Sequence, residues 1–137
     1  MNEKRGSIRY AANATVSFKA EGDDLKVMQG QLLNISYSGC AVTLKENIEA
    51  DTMIQFDISA DFSREHLTGK GKIVHVGQQK TYSGGLFKIG IKFIEYDQNA
   101  VLRFISENQR RMLQEERRKA EEQIKRGQLG STDFGPY

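Results

Sequence analysis

The chain has 137 residues, of which 38% are apolar and 28% charged, with one proline, one cysteine and a formal net charge of +2. That length suits one domain with a real core, and the composition argues for a folded globule over disorder through most of the chain. So small a net charge speaks against a general duplex nucleic-acid binder, so any basic site is expected to be local.

The N-terminus, MNEKRGSIRY, is charged and polar, without the apolar segment of a signal peptide. Cys40 has no internal partner for a disulfide, and no apolar run approaches the roughly 18 residues of a membrane span. A cytoplasmic protein without a membrane span is the expectation. Within the opening segment, KRGSIRY sets Arg5 and Arg9 four residues apart in a stretch too irregular for a helix and too polar for a core strand. Residues 1–11 are therefore expected to be a flexible arm.

From about Ala11 to Tyr96 the pattern has a period near two. In ATVSFKA, Val16 and Phe18 alternate with Thr15, Ser17 and Lys19, and EGDD supplies a turn. LKVMQGQLLNIS is long for one strand and carries Gly30, where a bulge or bend is expected. After a tight SGC turn come AVTLKE and then TMIQFDIS, with Met53, Ile54, Phe56 and Ile58. LTGKGKIVHVG follows, then the polar connection QQKTYSGG, then GLFKIGIKFIEY, where Phe87, Ile89, Ile91 and Phe93 share one parity and hence one face. Six such strands with no helical pattern between them predict a mainly β fold, an antiparallel sheet closed into a small barrel over residues 12–113 together with a packing helix.

The helix begins after Asp97, a candidate N-cap, with Val101, Leu102, Phe104, Ile105, Met112 and Leu113 at spacings near three and four. Beyond Leu113 the apolar stripe stops. Residues 114–126 read as a charged helical extension, supported by Glu115–Lys119 and Glu121–Lys125 pairs, with no a/d heptad running through it. The same extension could join two copies if Arg117, Arg118 and Glu121 paired across a symmetry axis. Residues 127–137 are Gly-rich and are expected to form a flexible tail.

Signatures of catalysis are scarce. His66 and His75 each stand alone, and the chain contains no HExxH, no CxxC pair, no GxSxG and no GxxxxGK[ST]. His75 reads as a structural or surface residue and Cys40 as a small buried hydrophobe. No catalytic residue and no metal ligand is assigned, and an enzyme is not expected.

One more short stretch carries chemistry. In LLNISYSGC, Asn34 and Ser36 are two apart, so at a strand end both point to the same face, and Gly39 lets backbone or ligand approach closely. Taken together, Arg5-Gly-Ser-Ile-Arg9 before the first strand, Asn34-Ile-Ser36-Tyr-Ser-Gly39 at the end of the second, and Gly90-Ile-Lys-Phe93 in the last resemble the PilZ domain family over roughly residues 3 to 113. The resemblance implies a six-stranded antiparallel PilZ-type β-barrel with a long C-terminal α-helix, binding the bacterial second messenger cyclic di-GMP. It assigns Arg5 and Arg9 to the family's arginine motif and Asn34, Ser36 and Gly39 to its second motif. Lys4 occupies the preceding position, where family members often carry another arginine, and leaves the choice between one nucleotide and an intercalated pair open.

The residue types suit that ligand. A planar guanidinium pairs bidentately with phosphate oxygens or with guanine O6 and N7, and its face stacks on a base. The Asn34 carbonyl can accept from a guanine N–H, and the Ser36 hydroxyl can donate to a phosphate. Each charge-assisted contact contributes about 1.5–3 kcal/mol. The expected function is a non-catalytic receptor or adaptor in which nucleotide orders the arm and alters contact with an unidentified effector protein. Motility, attachment or exopolysaccharide production are the outputs the family implies. The alternative is a PilZ-like interaction module without nucleotide binding, as in pilus assembly. A single-stranded nucleic-acid binder is a third class, but it would carry exposed strand aromatics, and here most share the core parity, so no DNA or RNA partner is expected.

Overall fold

Period-two patterning puts Val16 and Phe18, then Ile54, Phe56 and Ile58, then Ile89, Ile91 and Phe93 on one side of their strands, and in the computed structural model all of them lie in a single buried cluster. The structure describes residues 8–22, 26–81 and 84–134, and the side chains of these except 79–81, 84 and 126–134.

The elements are β1 (Tyr10–Ala11), β2 (Thr15–Ala20), β3 (Met28–Ile35), β4 (Gly39–Leu44), β5 (Met53–Ser59), β6 (Leu67–Thr81), β7 (Gly84–Tyr96) and α1 (Gln98–Phe134). The strands pair antiparallel in the order β1-β3-β2-β5-β6-β7-β4, and β4 returns to β3. Six strands thus close on themselves, which removes the free edges that an open sheet would expose. The short β1 is one strand more than the alternation predicts. Its two residues pair with Ile35 and Asn34, within the stretch expected as an arm, and a segment that short carries no periodic signal.

Two irregularities steer the site. Gly30, where the sequence suggests a bend, stays in regular register opposite Val16. The bulge of β3 falls instead at Leu33, between the pairs Leu32–Val42 and Asn34–Ala41. An extra residue resets the in-out phase: Leu32 and Ile35 both face the core although they are three apart, and Asn34 turns outward. A second bulge sits at Val74 of β6, between Ile73–Ile91 and His75–Gly90. Most of the predicted connection QQKTYSGG is itself strand, because β6 and β7 stay paired out to Thr81 and Gly84.

Asp97 caps α1 as expected, its Oδ1 accepting from the N–H groups of Asn99 at 2.9 Å and Ala100 at 3.3 Å. Val101, Phe104 and Ile105 are buried, and Phe104 meets Phe62 with ring centroids 5.1 Å apart. Asn108 Nδ2 donates to the carbonyl of Ala11 at 2.9 Å, which ties the helix to β1. The packed face is narrower than the apolar stripe suggests, since Leu102, Met112 and Leu113 are exposed. From Met112 to Lys125 every side chain is exposed. Among the described side chains the i,i+4 pairs are Arg111–Glu115 and Arg118–Glu122 rather than Glu115–Lys119 and Glu121–Lys125, a swap of small energy between long solvated side chains. The helical backbone continues to Phe134, beyond residue 127, where the sequence suggests a tail.

Candidate functional site

The β3–β4 turn places three of the residues singled out by sequence. Ser36 N–H donates to the Gly39 carbonyl at 2.8 Å, and the Ser36 hydroxyl donates to the same carbonyl at 3.3 Å while accepting from Ser38 N–H at 3.3 Å. Ser36 is buried, so this hydroxyl shapes the turn. Phe93 N–H donates to the Ser38 carbonyl at 2.9 Å, which fastens the turn to β7. Gly39 has a steric reason to be glycine: a Cβ there would run into the backbone carbonyl oxygen of Ile91.

Arg9 directly precedes β1, and the Tyr10–Ile35 and Ala11–Asn34 pairs bring it beside that turn. Its Nη1 donates to Asn34 Oδ1 at 3.1 Å. Tyr10 packs edge-on against Tyr37 at 6.3 Å, and a hydrogen bond with Tyr37, then desolvation, hold the Tyr10 hydroxyl above the ordinary phenol range. The guanidinium also acts on Cys40. Burial pushes that thiol up to about 12, and the positive charge of Arg9 opposes the rise. Of the expected ligand residues, the structure therefore brings Arg9, Asn34, Ser36 and Gly39 to one place, while Lys4 and Arg5 lie outside the described residues.

These four open onto a groove of about 460 Å³ whose remaining walls sequence reasoning did not assign: Ala41, Val74, His75, Lys88, Gly90 and Lys92 contribute. Register explains the shape. Asn34 pairs with Ala41, Ala41 with Gly90, and Gly90 with His75, so one row crosses four strands. At about 4.8 Å per strand the row is roughly 14 Å wide. Its middle is floored by the small residues Ala41 and Gly90, and its edges are Asn34 with Arg9 on one side and His75 on the other. The bulge at Val74 aims both Val74 and His75 outward, and a Cβ on Gly90 would sit 3.1 Å from that of His75. Lys88 and Lys92 flank Gly90 on the outward parity of β7. A signal for them exists in the sequence, where Lys88-x-Gly90-x-Lys92 alternates against Ile89, Ile91 and Phe93. Only pairing shows which outer face they share.

Among the described residues the groove is lined by the cationic or basic side chains of Arg9, His75, Lys88 and Lys92 and by no carboxylate. A trough with a small neutral floor and cationic rims suits a flat, anionic molecule. Elsewhere, His66 Nδ1 lies 2.8 Å from Asp57 Oδ1 on an exposed surface, and among the described residues no group of three or more His, Cys, Asp or Glu could hold a metal ion. Among the described residues no helix is long and apolar enough to cross a membrane.

No curated protein matches the chain. Among solved structures it is similar to the PilZ domain of YcgR from Escherichia coli with c-di-GMP, at a TM-score of 0.66 and 13% identity, covering 84% of this chain and 95% of that one. It is also similar to the K. pneumonia MrkH-c-di-GMP complex (0.63, 16% identity, 82% of this chain and 54% of that one). The Bacillus subtilis inhibitor of motility MotI/DgrA matches at 0.61 with 15% identity, over 79% of this chain and 51% of that one. The chain thus spans about half the length of these last two, and at such identities the likeness is one of fold. A model of the PilZ domain matches residues 3–114, a span that takes in the whole barrel, both motifs and the packed part of α1; the chain belongs to the PilZ domain family.

Proposed function

We propose that this chain is a non-catalytic, cytoplasmic receptor for cyclic di-GMP. The observation that carries the reading is the convergence of Arg9, Asn34, Ser36 and Gly39, drawn from two segments about 25 residues apart, on one groove that no carboxylate lines among the described residues. The similarity to c-di-GMP-bound YcgR and MrkH supports the same ligand. In the bound state Arg9 turns its remaining donors to a phosphodiester or to a guanine edge, and Asn34 offers its amide to the base. Lys4 and Arg5 are drawn across the ligand from the preceding segment. That movement changes the surface beside β1 and thereby contact with an effector protein, through which motility, attachment or exopolysaccharide production is regulated.

Isothermal titration calorimetry with cyclic di-GMP, beside Arg9→Ala and a GTP control, tests the reading. Saturable heat that Arg9→Ala abolishes and GTP does not reproduce is expected, and the molar ratio gives one nucleotide or two per chain. Absence of heat, confirmed by equilibrium dialysis, would point to an interaction module that works without nucleotide.

A further inference from the structure

Lys88 and Lys92 are exposed, stand four residues apart on β7, and line the same groove as Arg9 and Asn34. A step of four along a strand is roughly 13 Å, so the two ammonium groups can serve well-separated points on an elongated ligand or swing together over Gly90. Neither has an acidic partner among the described residues. By contrast Lys26, Lys70 and Lys72, also on the barrel surface, are paired with Glu46, Glu21 and Asp51. Among the described residues, Arg9, Lys88 and Lys92 therefore stand around one trough that no carboxylate lines, in a protein of net charge only +2. Like charges around one trough give it a positive potential, which favours binding of an anion between them.

The register sharpens this. Gly90 stands at the centre of the row from Asn34 to His75, and Lys88 and Lys92 lie on either side of it along β7. The arginine side and the lysine side of the trough are thus separated by β4, whose residues there are Gly39 and Ala41, too small to block a ligand reaching from one side to the other. A molecule with a single phosphate group meets one side. A cyclic dinucleotide, with two phosphodiesters held apart by its ring, meets both.

We infer that Lys88 and Lys92, with His75 at the edge between them, form a second anion-binding wall on β6–β7 that engages one phosphodiester of the cyclic dinucleotide while Arg9 engages the other. This rests on the nucleotide reading above and adds to it a contact set outside both sequence motifs. The wall favours ligands with two anionic groups over those with one, and it makes a large part of the affinity sensitive to ionic strength.

The test is calorimetric titration of the full chain with cyclic di-GMP at low and at physiological ionic strength. The proteins compared are the wild type, Lys88→Gln, Lys92→Gln, the double variant, the Lys88→Arg and Lys92→Arg variants, and Lys45→Gln as a charge control outside the groove. Each Gln variant is expected to weaken binding by about threefold to fivefold at low ionic strength, the upper range for one exposed ion pair. The double variant should show a clearly shallower salt dependence than wild type, with the remainder carried by the arginine side; the Arg variants should retain affinity, and Lys45→Gln should behave as wild type. Gln variants that bind like wild type with the same salt dependence would overturn the second wall and leave the receptor reading standing. A wild type that binds no cyclic di-GMP at either ionic strength would overturn both.

Discussion

Arg9 Nη1 reaches Asn34 Oδ1 at 3.1 Å, so an arginine of the first motif rests on the asparagine of the second. The contact uses one of the five guanidinium donors and holds the side chain over the groove. Replacing Asn34 by Ala removes this support and, on the proposed receptor reading, a contact to a guanine base. Cyclic di-GMP affinity is expected to fall about tenfold to a hundredfold, the range of one charge-assisted hydrogen bond. The thermal midpoint should stay within about 2 °C, because the bond is exposed. Titration calorimetry and a melting curve on the same sample check both.

Arg9→Lys separates charge from shape. Lysine keeps the positive charge but not the planar fork, so binding is expected to weaken nearly as far as in Arg9→Ala. Affinity close to wild type would mean that charge alone serves at this position.

Gly39→Ala places a methyl group against the Ile91 carbonyl where β4 meets β7. Relief requires β4 or β7 to move, so the substitution is expected to destabilise the barrel by about 1–3 kcal/mol and to weaken ligand binding as well. Urea unfolding gives the first quantity and calorimetry the second.

Asn108 Nδ2 holds the Ala11 carbonyl at 2.9 Å, two residues along the chain from Arg9. Asn108→Ala leaves that carbonyl without its helix partner and is expected to lower stability by about 1–2 kcal/mol. It should also weaken ligand binding through a less well-placed Arg9. An unchanged affinity alongside the stability loss would show that α1 supports the barrel only.

Burial raises the Cys40 thiol to about 12, so it is neutral in the folded protein at ordinary pH. A thiol-specific reagent at pH 8 is expected to react slowly with the native chain and rapidly after unfolding. The sign of the pH effect follows from the folded value lying above the unfolded one, near 8.5. The contribution to stability is whole below the unfolded pKa and is lost as pH rises from there toward 12. Cys40→Ala should remove that part of the alkaline decline, which thermal midpoints of the two proteins from pH 7 to pH 10 would reveal.

Much of this architecture was readable from alternation and capping alone. The parity of Phe87, Ile89, Ile91 and Phe93 predicts an inner face, and Ile89, Ile91 and Phe93 are buried there while Phe87 packs half-buried at its margin. Asp97 marks the first turn of the helix because its side chain is the acceptor that the free N–H groups need. The helix face was harder to read. Leu102, Met112 and Leu113 continue the apolar spacing, yet the barrel meets α1 along a narrower line centred on Val101, Phe104 and Ile105. Nothing in a one-dimensional pattern states how wide the receiving surface is.

By itself the sequence determined the chemistry on offer: a guanidinium at Arg9, an amide at Asn34, and a turn at Ser36–Gly39 that is local hydrogen bonding. It also determined which strand faces are apolar, because side chains two apart on a strand must share a face. Tertiary pairing alone decided what those groups meet. Bulges at Leu33 and Val74 are properties of two strands in register, and they turn Asn34 outward and aim His75 over Gly90. Closure of β4 between β3 and β7 then places Lys88 and Lys92, more than 50 residues from Asn34 in sequence, on the trough that Arg9 overlooks.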